Sequence, residues 1–223
     1  VADLNFQSDG AQRFRCALSN SEVQATLAVL AHLPNDRAGL RLTGIVELAS
    51  LMSGDGAMGR LAAELIGHGS RPVRAILFDK SETTNWSLAW HQDRTIVVRQ
   101  RIETAGYGPW SIKSGLLHVA PPFHVLEGMA TLRLHLDDVD TDNAPLLVAP
   151  GSHRLGRVAE QDVPDTISRL GAVACLADAG DIWAYATPIL HASKAADRPR
   201  RRRVLQVDYA SRDLDGDLEW LGV

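Results

Sequence analysis

A chain of 223 residues, 45% hydrophobic and 22% charged, can bury a sizeable core and has the balance of an ordinary soluble globular protein. Its net charge of −4 argues against a general nucleic-acid or anionic-membrane surface. Cys16 and Cys175 form neither a metal-spaced cluster nor a disulfide framework, no apolar run approaches the roughly 20 residues of a membrane span, and no charged-then-apolar leader opens the chain; a cytoplasmic location is the expectation.

The N-terminal third reads as helical. In "LSNSEVQATLAVLAHLP", Ser19 followed by Glu22 offers a capping box, Val23, Leu27 and Leu30 recur at helical spacing, and Pro34 stops the run. A second helix is expected after "GDGAM", through "GRLAAELIG", with Asp55 near its start and Gly67 past its end. From there the character changes. "VRAILFD", "WSLAW", "TIVVRQR", "TLRLHL", "PLLVAP", "AVACLA", "DIWAYA" and "RVLQVDYA" are short, β-rich and separated by Gly, Pro, Asp and Asn. The pattern predicts one domain over residues 1–223: mainly β, with a helical buttress at about 19–68 and a core of strands at about 72–210 forming an antiparallel sandwich or jelly roll.

Two strands show which face is which. Leu132, Leu134 and Leu136 alternate with Thr131, Arg133, His135 and Asp137; Leu205, Val207 and Tyr209 alternate with Arg202, Val204, Gln206 and Asp208. Antiparallel sheets with one packed and one wet face give this alternation. Either the polar faces meet bulk solvent, or the apolar faces pack on the helices and Arg133, His135, Arg202 and Gln206 share an interior site.

"HQD", residues 91–93, aims His91 and Asp93 to one side of an extended chain and turns Gln92 away. His32 and His68 sit at helix ends, His118 and His124 in a Pro-rich segment, and His153 follows a Pro-Gly-Ser turn. His191, at the end of an apolar run, is the partner expected to emerge at a strand end as His91 does. Two histidines and one carboxylate leave open positions on a metal, a set suited to non-haem Fe(II). Zinc hydrolysis is the rival, although its helical H-E-x-x-H pattern is absent. Arg202, eleven residues beyond His191, is placed to grip a carboxylate in two parallel hydrogen bonds.

These pieces, "LFDK" ahead of "WHQD", then "DNAPLLVAPGSHRLG", "AGDIWAYATPILHAS" and "RRRVLQVDYA", resemble the phytanoyl-CoA dioxygenase-like (PhyH) family of Fe(II)/2-oxoglutarate oxygenases from about Ile76 to Ala210. The resemblance implies a double-stranded β-helix (cupin-like jelly roll) with iron held by His91, Asp93 and His191. It implies 2-oxoglutarate gripped by Arg202 with help from Ser193, and bordered by Lys80 and Phe78. With O2 as second cosubstrate, the expected reaction is hydroxylation of a small molecule with release of succinate and CO2. The chain departs from the family where Ala144 replaces a usual Gly, so Asp142 or Asn143 is expected to take a left-handed conformation. Parity and family spacing favour Arg202 over Arg200 as the inward arginine.

Residues 94–128 read as a long insertion, either a lid carrying Tyr107, Trp110, Lys113 and His118 or an ordered loop whose Trp110 packs on the sheet. Arg133, where the family more often has an uncharged residue, predicts an anionic substrate or an acidic partner such as Asp137. Arg133, His135 and Trp110 are the expected substrate contacts. A non-catalytic cupin-like binding protein and a metal-dependent hydrolase with the same ligands stay open as alternatives.

Overall fold

A computed structural model of the chain describes residues 3–223 apart from 35, 36 and 38. Asn5 accepts from the amides of Gln7 and Ser8 to cap a single turn, α1 (Phe6–Asp9), which Gly10 ends in the left-handed conformation. Strand β1 (Ala11–Phe14) follows. Helix α2 (Asn20–Leu30) opens on the expected capping box and buries Val23 and Leu30. Strand β2 (Gly39–Leu42), helix α3 (Val46–Met52) and helix α4 (Ala57–Ile66), ended by Gly67, complete the N-terminal part. The expectation of an all-helical first third is therefore corrected: β1 and β2 lie there, one at each edge of the main sheet.

Next come β3 (Arg71–Lys80), β4 (Leu88–His91), β5 (Ile96–Val97), β6 (Trp110–Lys113), β7 (Leu116–Val119) and a short α5 (Phe123–Glu127). After them run β8 (Met129–His135), β9 (Leu146–Val148), α6 (Val163–Leu170), β10 (Val173–Cys175), β11 (Ile182–Ala186), β12 (His191–Ser193) and β13 (Arg202–Ala210). The main sheet has the order β1-β11-β8-β13-β3-β2 and a second has β10-β9-β12-β4, both antiparallel throughout. These form the jelly roll. The strand expected at 95–101 shrinks to Ile96–Val97, and the insertion at 94–128 holds its own sheet, β5-β7-β6. It is an ordered wall rather than a structureless lid. Among the described residues no helix is long and apolar enough to cross a membrane.

One face of the main sheet carries Leu77, Leu132, Leu134, Leu205 and Val207, which pack with Leu30, Leu48, Met52 and Met58 of the helices. The opposite face looks inward, and antiparallel register sorts it into rows. Arg74, Asp208 and Thr131 are neighbours across the strands, followed by Arg41, Ile76, Gln206 and Arg133. The next row holds Gly39, Phe78, Val204 and His135, and the last holds Lys80 with Arg202. Each row lies two residues, about 7 Å, from the one before it.

Candidate metal centre and its cavity

His91 and His191 are direct partners across the β4–β12 ladder, and Asp93 leaves the end of β4 on the same side as His91. The ligand atoms of His91, Asp93 and His191 all lie within 4.8 Å of one another. Each imidazole is fixed from behind. His91 Nδ1 lies 2.8 Å from the Ala89 carbonyl, and His191 Nδ1 lies 3.0 Å from that of Ile189. A carbonyl only accepts, so Nδ1 carries the proton in both rings and Nε2 keeps its lone pair. Burial pushes His191 down to about 4 against the pull of Asp93, so the ring is neutral. Burial alone would raise the Asp93 carboxyl, but the charge and hydrogen bond of Arg74 oppose it, and the group is held below its usual range. Two imidazole Nε2 atoms and one carboxylate fit a divalent transition metal with positions left open.

Arg74, which the motifs do not single out, sits behind this centre. Its Nε donates to Asp208 and its Nη2 to Asp93 at 3.3 Å. Asp208 also accepts from Thr131 at 3.1 Å. Burial opposes the Arg74 charge, but the Asp208 and Asp93 carboxylates overcome that and raise its affinity for the proton. The period-2 parity that marks Arg133 also places Arg74 inward beside Ile76 and Phe78, so strand alternation carried the signal.

The metal ligands open on a cavity of about 640 Å³, whose wall includes Phe78, Lys80, Arg133, Ser193 and Arg202. Arg202 is 2% exposed; it donates to the Ala144 carbonyl at 2.6 Å, and its Nε has no partner among the described residues. Arg200 instead pairs outward with Asp140, so Arg202 is the inward arginine. Lys80, also 2% exposed, donates to Trp86 O at 2.8 Å and to Ser193 Oγ and Lys194 O at 3.0 Å, with its ammonium over the Trp86 ring. Burial, then the charges of Arg202 and Arg133, push Lys80 down to about 7; burial and Arg133 push Arg202 to about 9.

Arg133 donates to Gln206 Oε1 at 2.6 Å, lies over the Phe78 ring and leaves its Nε unpartnered. The acidic-partner expectation is corrected, since Asp137 is taken by Arg203. Two expected substrate contacts are displaced. Trp110 packs against the cluster of Val73, Ile96, Tyr107 and Val119, under Arg101, and does not line the cavity. His135 is fully buried with both ring nitrogens unpartnered, and it too is absent from the cavity wall. His153 sits in a 3₁₀ turn against Gly10, where an added β-carbon would meet its ring at 2.2 Å. The left-handed residue near the "PGSH" strand is Ala144 itself, at φ 53°, and neither Asp142 nor Asn143.

Facing antiparallel sheets around two histidines and an aspartate, with an arginine deep in the cavity, define a class: the non-haem iron, 2-oxoglutarate-dependent oxygenases. The phytanoyl-CoA dioxygenase (PhyH) family matches residues 6–204, and the chain belongs to it. Similar solved structures include EctD from S. alaskensis with 2-oxoglutarate and 5-hydroxyectoine, at 18% identity, covering 98% of this chain and 77% of that one, TM-score 0.69. The non-haem alpha-ketoglutarate-dependent carbocyclase SnoK from nogalamycin biosynthesis is 20% identical, covering 98% and 85%, TM-score 0.65. HygX from Streptomyces hygroscopicus, with nickel and 2-oxoglutarate bound, is 12% identical, covering 95% and 89%, TM-score 0.63. At these identities the likeness speaks for the fold. A search of the curated proteins found no match.

Proposed function

We propose that the protein is an Fe(II)- and 2-oxoglutarate-dependent dioxygenase that hydroxylates a small anionic molecule and releases succinate and CO2. The observation that carries this reading is the pairing of two Nε2 lone pairs and one carboxylate with a deeply buried, unneutralised arginine in the same cavity. His91, Asp93 and His191 hold the iron, which when bound supplies dioxygen activation coupled to 2-oxoglutarate decarboxylation. Arg202 receives the distal carboxylate of 2-oxoglutarate, while Ser193 and Lys80 steady it and Phe78 flanks it. Arg74 holds Asp93 in one orientation by donating to one of its carboxylate oxygens.

The anionic character of the substrate follows from charge. Arg41, Lys80, Lys113, Arg133 and Arg202 line the cavity, and among the described residues none has a carboxylate within ion-pair distance. A 2-oxoglutarate dianion offsets at most two of them, which leaves the buried Arg133 and the half-buried Arg41 to attract a second anion. The family match over residues 6–204 favours the oxygenase reading over a hydrolase using the same three ligands.

The test is anaerobic reconstitution with Fe(II) followed by 2-oxoglutarate. A metal-to-ligand charge-transfer band in the visible range is expected, lost in His191→Ala and weakened in Arg202→Ala. Iron fully bound with no band would remove 2-oxoglutarate from the mechanism.

A further inference from the structure

The cavity has a second cationic end that 2-oxoglutarate at Arg202 does not use. Arg41 on the edge strand β2 shares a row with Ile76, Gln206 and Arg133, four residues along the sheet from the Lys80–Arg202 row, or roughly 13 Å. The metal ligands face both: Asp93 reaches Arg74, one row beyond Arg41 on the side away from Lys80, while Ser193, two residues past His191, reaches Lys80. Arg41 donates to Ser114 Oγ at 2.7 Å, which ties its guanidinium to the β6–β7 turn beside Lys113. Its Nε is buried and unpartnered. Among the described residues Lys113 has only a long contact to Thr95 Oγ1, at 3.4 Å. The third cation nearby, Arg74, is already committed to Asp208 and Asp93.

His118 on β7 stands at the same end of the cavity and is fully buried. Its Nδ1 lies 2.9 Å from the Leu116 carbonyl and must donate there, which leaves Nε2 as a lone pair, buried and without a partner. Burial, reinforced by Arg41, Arg74 and Lys113, pushes its proton affinity down. A neutral ring in that tautomer accepts a hydrogen bond and cannot bind an anion directly.

We infer that Arg41 and Lys113 form a subsite for the substrate's carboxylate or phosphate, and that His118 Nε2 accepts a hydrogen bond from a hydroxyl on the same molecule. The substrate is then a hydroxylated acid or phosphate, held with its anion against the three-stranded sheet and its reacting carbon toward the metal. The substrate role rests on the oxygenase reading; the anion site does not. Either anion meets the same two cations, and the two are separated by comparing probes. The small sheet thereby gains a role, bringing Lys113 and His118 to an edge strand that alone would offer Arg41 to solvent.

Calorimetric titration of the full chain, loaded with Mn(II) and saturated with 2-oxoglutarate, tests this with inorganic phosphate, butyrate and 3-hydroxybutyrate as probes. Each charged hydrogen bond lost is expected to weaken binding about tenfold or more. Arg41→Gln and Lys113→Gln should each do so for phosphate or for the carboxylates, and the probe affected tells which anion the site prefers. Arg198→Gln, an exposed arginine facing Asp142, should not. The wild type should favour 3-hydroxybutyrate over butyrate, and His118→Phe should erase that preference. Anion binding unaffected by both Arg41→Gln and Lys113→Gln, or anions that simply displace 2-oxoglutarate, would overturn the subsite. A hydroxyl preference that survives His118→Phe would overturn the role of that ring. Lys113 is exposed, so its variant keeps the test sound should Arg41→Gln fold poorly. Loss of 2-oxoglutarate binding in the wild type, with anion binding still dependent on Arg41, would support the site and remove the oxygenase reading.

Discussion

Replacing Arg74 by Met tests whether one buried guanidinium serves both fold and metal. The side chains of Arg74 and Asp208 are 11% and 2% exposed, and that of Asp93 is 23% exposed. Removing the guanidinium strands a buried carboxylate, and breaking such a pair costs about 3–5 kcal/mol. The lower end applies here, near 3 kcal/mol, because Asp208 retains Thr131 at 3.1 Å and Gln206 at 3.4 Å. Burial already raises the Asp208 carboxyl, and without Arg74 it rises further. A folded-state value above the unfolded one means that the folded variant binds a proton the unfolded chain has released. Against the wild type the unfolded-state value cancels, so the deficit is smallest at acidic pH, grows as pH rises through the already raised wild-type value, and is complete above the variant's higher one. Urea unfolding across pH should show this slope, and Arg74→Met/Asp208→Asn should recover much of the loss. Metal affinity should fall about 10–100-fold as Asp93 loses its support. A deficit under about 1 kcal/mol at pH 8, or a double variant worse than the sum of the singles, would refute the account.

Other consequences are as direct. Ala144→Gly relieves a left-handed alanine and should stabilise the fold by about 1 kcal/mol, raising Tm by roughly 2–4 °C in a thermal scan. Gln92→Leu removes donors to the Gly156 and Pro188 carbonyls and the acceptor for the Val158 amide; a loss of about 3 kcal/mol in chemical unfolding is expected, with weaker metal binding because His91 and Asp93 flank it. Lys80, held near 7 in the free protein, should gain its proton when a dianion enters, so 2-oxoglutarate binding at pH 8 should take up close to one proton; titration in buffers of differing ionisation enthalpy reads this, and Lys80→Met should abolish it. For the same reason, with its folded-state value below the unfolded one, stability should rise with pH between about 7 and 10, and less so in Lys80→Met.

The inward face was legible because strands of seven to ten residues give several periods of alternation, enough to sort Leu132 from Arg133 and Leu205 from Gln206. The edge strands were not. "AQRF" and "GLRL" each supply only two alternations, and both lie among helices, so their strand character comes from pairing with β11 and β3, far away in sequence. "WSIK" and "LLHV" were hidden in the same way inside a Gly- and Pro-rich stretch, and with them the wall that carries Lys113 and His118. At the turn before β9, residue type pointed to the wrong position. Asp140 accepts from the amides of Asp142 and Asn143 at 3.1 and 3.0 Å, which holds both residues in a tight turn and passes the left-handed step to Ala144. His135 and Trp110 had the right chemistry on elements near the cavity, yet parity alone cannot say whether an inward side chain reaches the space or is sealed by its neighbours.

The run Arg200 to Arg203 shows how the fold turns composition into a binding site. Arg200 pairs with Asp140, Arg201 with Asp79 and Arg203 with Asp137, all on the outer side of the β13 entrance. Arg202 alone of the four points inward, and among the described residues it finds only a backbone carbonyl. The same division holds across the rows, where Arg41, Lys80 and Arg133 face the cavity with hydroxyl, carbonyl or amide oxygens as partners. A chain with a net charge of −4 does not lack carboxylates. It places most of them outside or on Arg74 and Arg94, and leaves Arg41, Lys80, Arg133 and Arg202 to neutral acceptors that solvate charge without cancelling it. Such acceptors keep the guanidiniums aimed and only partly compensated, which is unfavourable for stability and favourable for binding anions. Under the proposed function, a preference for acidic substrates follows from that placement, whichever carbon is oxidised.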